Sequence, residues 1–323
     1  VTISPQTDPG FAFAGVPADE QFQDAAAPGA DPLGLLAHLL GDADEATWKG
    51  PGFNTIWRPH PIAPSGQDRF LEMNITTDKI AFSRIKGNIP NRGLLMPGIN
   101  LFGLTYMQQI HQEADEEKGL HIEPGIWINI PHTSNPAEPP TVARLASIPH
   151  GTAILAQGTT RVIDGPPNIP DNNILPFFLG TPKPTNADFH AVATTFPELN
   201  LSISTTFREK PDSVDQAMVI NPNSVLQHAI AGKTITRTTV LNVSTAHKPI
   251  AGGGLANTAF LESATPGEGN AKAVAVHATF WIESVAASQA EPEHVQIQYS
   301  QLVQLDFNGI RWPHVTVATL RKL

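Results

Sequence analysis

The chain has no cysteine in 323 residues. That removes disulfides, zinc–thiolate sites, iron–sulfur clusters and thiol nucleophiles together, and says little about compartment. Charge is also scarce. Asp, Glu, Lys and Arg make up 15% of the residues, well below the usual quarter, so the net charge of −10 does not describe an acidic disordered chain. No basic stripe is present, which argues against nucleic acid as a partner. No apolar run approaches the ~18 residues of a membrane-spanning helix, and no helical stretch has the length or polar pattern of a surface anchor, so no membrane partner is expected. A Gly-x-Ser-x-Gly elbow, a Walker loop and Asp-rich calcium loops are missing too. Gly252-Gly253-Gly254 has no lysine and Ser/Thr after it and reads as a flexible loop.

What is present is a 41% hydrophobic chain, enough for one large core or two modest ones. The 30 prolines and 25 glycines punctuate it throughout and disfavour long helices. Twelve histidines are left as the main source of chemistry. Residues 1–30 contain no Lys, Arg or His and lack the basic start and apolar stretch of a secretory signal. Their composition predicts a mobile arm, with Phe11, Phe13 and Phe22 available to dock. The missing signal and low charge favour a soluble intracellular protein, although a start at Val1 leaves trimming open.

Two helices are marked. Asp31-Pro32 caps a run with Leu33, Leu36, Leu39 and Leu40 at helical spacing, stopped at Gly41; Asn221-Pro222 opens a second over 224–231, closed by Gly232. The rest reads as strands: 54–57, 70–75, 80–85, 101–110, 120–130, 142–148, 152–158, 199–206, 234–243, 274–285, 295–307 and 310–320. About ten to twelve strands predict an all-β fold, an antiparallel barrel or a sandwich, over residues 31–323 as one domain. The Pro-, Asn- and Gly-rich stretches within 161–274 read as expanded loops.

Asn308-Gly309 between two strand runs predicts a type I′ hairpin, because both residues tolerate positive φ. A two-residue loop fixes the register: Phe307 opposite Ile310, Leu305 opposite Trp312, Val303 opposite His314, Tyr299 opposite Ala318. Alternation then places Val303, Leu305, Phe307, Ile310, Trp312 and His314 on one face. His314 is the polar group on that apolar wall, so it needs a hydrogen bond, as a core histidine has, or a metal.

Several motifs carry a resemblance. Trp48-Lys49-Gly50-Pro51-Gly52-Phe53 after Leu39-Leu40-Gly41, His121-Ile122-Glu123-Pro124-Gly125-Ile126-Trp127, Ile148-Pro149-His150-Gly151 and the closing Trp312-Pro313-His314-Val315-Thr316-Val317-Ala318-Thr319-Leu320-Arg321 resemble the nitrobindin family of fatty-acid-binding-protein-like β-barrels. The spacing before the closing alanine is one or two residues longer than in that family. Phe53–Pro59, Asn88–Gly93 and Ile148–Thr152 resemble a longer haem-binding branch. The likeness covers roughly residues 45–160 and 275–323. It implies a lipocalin-like barrel with haem b held through iron by His314, and walls drawn from Trp312, Phe307, Leu305, Val303, Trp127 and Trp57. A five-coordinate ferric iron would leave a position for peroxide, nitric oxide or peroxynitrite, hence peroxidase-like or peroxynitrite-isomerising chemistry. His150, in a turn, and Arg144, in a strand, are the nameable distal acid/base and cation; Arg144 could equally pair with Glu123.

Two other readings stand beside it. The cavity could hold a fatty acid or another apolar compound, with His314 anchoring the head group. Alternatively His121 and Glu123, two apart on one strand face, could ligate a non-haem metal with His132. The remaining histidines have no spacing partner and read as surface or core residues. An exposed barrel edge could pair two copies as a homodimer.

Overall fold

The computed structural model describes residues 12–13, 22–23, 30–60, 67–246, 252–262 and 270–323. Ten long strands form a closed antiparallel barrel: β1 Glu45–Pro59, β2 Arg69–Arg84, β3 Gly98–Gln112, β4 Asp115–Ile130, β5 Thr141–Ile148, β6 Thr152–Asp164, β7 Ile235–Ser244, β8 Lys272–Val285, β9 His294–Phe307 and β10 Ile310–Lys322. Each strand pairs with its neighbour in sequence, and β10 returns to pair with β1. This up-and-down order follows from the turn signals between strands, since antiparallel neighbours need only short links. With β10 on β1 and β2 on β3, the ladder of ten long strands has no terminal strand.

The Asn308-Gly309 turn has φ of 52° and 71°, and the β9–β10 register is the one the two-residue loop dictates, with Val303 opposite His314. Segments 70–75 and 80–85 join into the single strand β2. The leucine-rich start forms a 3-10 helix, Gly34–Leu39, and the second helix is α3, Ser224–Ile230, preceded by α1 Phe189–Thr195 and α2 Gln216–Ile220. Segment 199–206 is not a strand. Arg208 donates to the carbonyls of Glu198, Asn200 and Ile203, so those acceptors fold around a guanidinium and are lost to any ladder. Most of residues 1–30, including Phe11, lies outside the described residues. Phe22–Gln23 is an exception: it adds a short parallel strand to β3, with the Phe22 ring against Gly98.

Alternation sorts the side chains. Residues 165–234 leave β6, cover the outer wall around β1, β2, β9 and β10, and return into β7. Under this cover Trp57 donates to the carbonyl of Ile174 and touches Phe196, and Gln298 donates to that of Leu226. The lumen has two ends. At one, the 3-10 helix is a plug: Leu36, Leu39 and Leu40 are fully buried, Trp48 Nε1 donates to the Leu39 carbonyl (2.9 Å), and Lys322 Nζ donates to that of Leu40 (2.8 Å). The other end is framed by the β1–β2, β3–β4, β5–β6, β7–β8 and β9–β10 connections.

Candidate functional site: the histidine-lined mouth of the barrel

A polar layer crosses the middle of the lumen. Arg144 of β5 and Glu123 of β4 are 1% and 0% exposed and pair at 2.5 Å. Arg144 also donates to the Tyr106 hydroxyl (2.8 Å) and to Gln301 Oε1 across the barrel (2.6 Å). Tyr106 donates to Glu123, Gln108 donates to the Tyr299 hydroxyl (2.8 Å), and Tyr299 and Thr76 both donate to Asp78. Burial alone would raise the Glu123 carboxyl, but the Arg144 guanidinium and the bonds from His121 and Tyr106 hold it at about 2. Burial pushes Asp78 up to about 6 against the bonds from Thr76 and Tyr299 and the nearby His121.

Two glycines make this layer possible. A Cβ on Gly125 would lie 2.5 Å from the Tyr106 ring, and one on Gly52 would lie 2.6 Å from Thr76 Oγ1 and 3.0 Å from Asp78 Oδ1. The Glu-x-Gly-x-Trp and Gly-x-Gly patterns thus have a packing cause: carboxylate, gap and aromatic alternate along one inward face.

Between this layer and the plug the lumen is solid. Trp127 meets Phe280 edge-on (5.5 Å), Phe280 stacks on Tyr299 (5.3 Å), and Leu104 and Leu241 are fully buried. On the other side the inward residues keep slight access: Val303 is 7% exposed, Gln301 8% and Ile148 9%. His314 lies here, inward on β10 and packed deep among barrel atoms, yet with accessible surface of its own. Its Nε2 accepts from Asn54 Nδ2 of β1 at 2.8 Å, and the same amide reaches Thr316 Oγ1 at 2.8 Å. Burial, with His121 and His150 facing it, pushes the His314 imidazole down to about 3, so the ring is neutral near pH 7.

His121 and His150 close the rim. Their rings are 6.0 Å apart, and burial together with His121 lowers the His150 pKa. A cleft of about 290 Å³ lies beside them, lined by Gln109, His111, Gly119, Leu120, His121, Ile122 and Pro149. The mouth therefore combines three imidazoles, an amide and a hydroxyl with apolar wall from Val276, Val303, Ile148 and Ile154.

The residues picked from the sequence fall into three places. His314, His121 and His150 converge on the mouth, and Val303 belongs to its wall. Arg144 is committed to Glu123, Tyr106 and Gln301 below it. Trp127 is under Arg144 in the solid half, with the guanidinium carbon 5.9 Å from its ring centroid. Trp312 packs on Phe307 (4.6 Å), Trp57 (5.3 Å) and Phe196 (5.6 Å), beneath the 165–234 cover. Leu305 is opposite Trp312 and 9% exposed. The β10–β1 pairing stops at Val315–Thr55, short of Trp312. Asn54 and Thr316 carry no sequence signal, because only barrel closure brings Asn54 to a residue 260 positions away.

For the non-haem metal reading, His121 Nε2 is 3.3 Å from Glu123 Oε2, but the other carboxylate oxygen is taken by Arg144 and Tyr106. Among the described residues no group of three or more His, Asp or Glu is arranged to hold a metal ion. For a haem iron, one donor fits: a neutral, reachable imidazole inside an apolar-walled opening. Trp57, Trp127 and Trp312 are at most 1% exposed and packed on other rings.

The chain matches no family model and no curated protein. Among solved structures, the crystal structure of Rv2717c from M. tuberculosis is similar over 94% of this chain and 99% of that one, at 14% identity and a TM-score of 0.40.

Proposed function

We propose that the open half of the barrel binds a small molecule with a largely apolar body, and that the ligand is haem b with His314 on the iron. The observation that supports this is the His314 ring itself, held neutral inside the barrel beside aliphatic wall. A ligand donor must be an unprotonated nitrogen, and this one stays unprotonated across the physiological range. Haem held by His314 would supply redox chemistry toward peroxide, nitric oxide or peroxynitrite. The chain's own parts are then assigned as follows. His314 would hold the iron, Val303, Val276, Ile148 and Ile154 would exclude water from the apolar body, and His150 at the rim would carry or accept a proton. Arg144 supports the floor through Glu123 and Gln301; its ion pair removes it from the role of distal cation.

A second reading is supported by the Asn54 bond to Nε2. There His314 and Asn54 together hold the polar head of a fatty acid or another apolar compound, as in a lipocalin-like carrier. One titration separates the two. Hemin added to the purified protein is expected to give a saturable Soret band at one equivalent, weakened or shifted in His314→Ala. A featureless hemin titration, with displacement of an apolar fluorescent probe by fatty acids, would overturn the haem reading and leave the carrier.

A further inference from the structure

Both hydrogens of the Asn54 amide have acceptors, His314 Nε2 and Thr316 Oγ1, each at 2.8 Å. With the amide nitrogen turned toward Nε2, that nitrogen accepts and the imidazole proton is assigned to Nδ1; the Thr316 hydroxyl is a second, more distant neighbour of Nε2, at 3.5 Å. The lone pair of Nε2 points at Asn54. A neutral imidazole placed this deep in the barrel would be costly without a partner, and Asn54 supplies one in the absence of ligand.

Resting on the reading above, we infer that Asn54 is the gate on the His314 nitrogen: its amide occupies the Nε2 lone pair, and a metalloporphyrin binds at His314 only by displacing that amide. The exchange is cheap. Asn54 is only partly buried, so water can take over its released N–H, and Thr316 keeps the other hydrogen. Asn54 is thus a specificity residue. It sets a threshold that a ligand with a metal centre clears and a metal-free analogue of the same shape has no reason to.

The expected signature is a pair of effects with opposite signs. In Asn54→Ala and Asn54→Val the ligand-free protein melts at lower temperature, because Nε2 has lost its 2.8 Å donor and keeps only the Thr316 hydroxyl at 3.5 Å. The same variants bind hemin about fivefold more tightly, the worth of one net hydrogen bond. Affinity for metal-free protoporphyrin IX does not change. In the ligand-free protein, ¹⁵N spectra of His314 show an unprotonated Nε2 whose shift moves in both variants. A merely structural Asn54 would lower both melting temperature and hemin affinity, and that result overturns the gate. Equal hemin affinity with and without Asn54, with the His314-dependent Soret intact, overturns the gate and leaves the haem reading standing. No His314-dependent Soret in the parent or in either variant overturns both.

Discussion

The two halves of the lumen are built from the same strands and packed differently. Toward the plug, Trp48, Trp127, Phe280, Tyr106 and Tyr299 fill the space, and each is at most 2% exposed. Toward the mouth, Val303, Gln301 and Ile148 stay in partial contact with solvent, and three histidines face inward or over the rim. The Arg144–Glu123 layer is the partition. On the reading proposed above, the mouth half carries the ligand and the aromatic half supplies more of the packing.

The largest effect belongs to the solid half. Trp127→Ala is expected to cost about 3–5 kcal/mol in denaturant unfolding, against about 1–2 kcal/mol for Val303→Ala, which removes two carbons at a 7% exposed position. Equal costs would erase the distinction. Arg144→Met leaves Glu123 buried with only His121 and Tyr106 as partners and is expected to cost about 3–5 kcal/mol; adding Glu123→Gln should recover much of it. Failure of the double variant to recover would mean that the layer is held by something other than the ion pair.

The pH dependence comes next. Asp78 has a folded pKa of about 6, above its ordinary 3.8, so its contribution is complete below 3.8 and is lost as pH rises through 6, at most roughly 3 kcal/mol. Asp78→Asn should abolish that alkaline loss in unfolding curves taken from pH 4 to 8. The acid side has the opposite sign. Glu123 and His314 have depressed values, so their stabilisation is present above about 4.5 and 6.5 respectively and fades as pH falls toward 2 and 3. The smallest effect is at the mouth. His314→Ala is expected to change ligand-free stability by no more than about 1 kcal/mol, because Asn54 can turn to water, while removing the His-dependent Soret. A multi-kcal loss would make His314 a core histidine, the plainer alternative.

How much of this was legible depended on range. The β9–β10 hairpin was readable because Asn308-Gly309 and a period of two fix register locally. Inward placement of His314 followed from it. The neighbours of Trp312 did not, since Phe196 belongs to the 165–234 cover, whose short helices α1 and α2 sit between prolines without a long apolar period. Segment 199–206 alternates like a strand, and only Arg208 reveals where its carbonyls go. Asn54 meets His314 through the closing β10–β1 register, a relation no spacing encodes. The Glu123–Gly125–Trp127 pattern was visible as a motif, while its cause, room for Tyr106 beside Arg144, needed the folded barrel.

The most direct test of a binding half set apart from a stabilising half is a titration with zinc protoporphyrin, which is diamagnetic, followed by NMR of the histidine and tryptophan side chains. The account predicts shifts at His314, His121 and His150, with the indoles of Trp48 and Trp127 unmoved. Shifts centred on Trp48 and Trp127, or on the outer cleft near Phe177 and Lys183 with the three histidines silent, would contradict it.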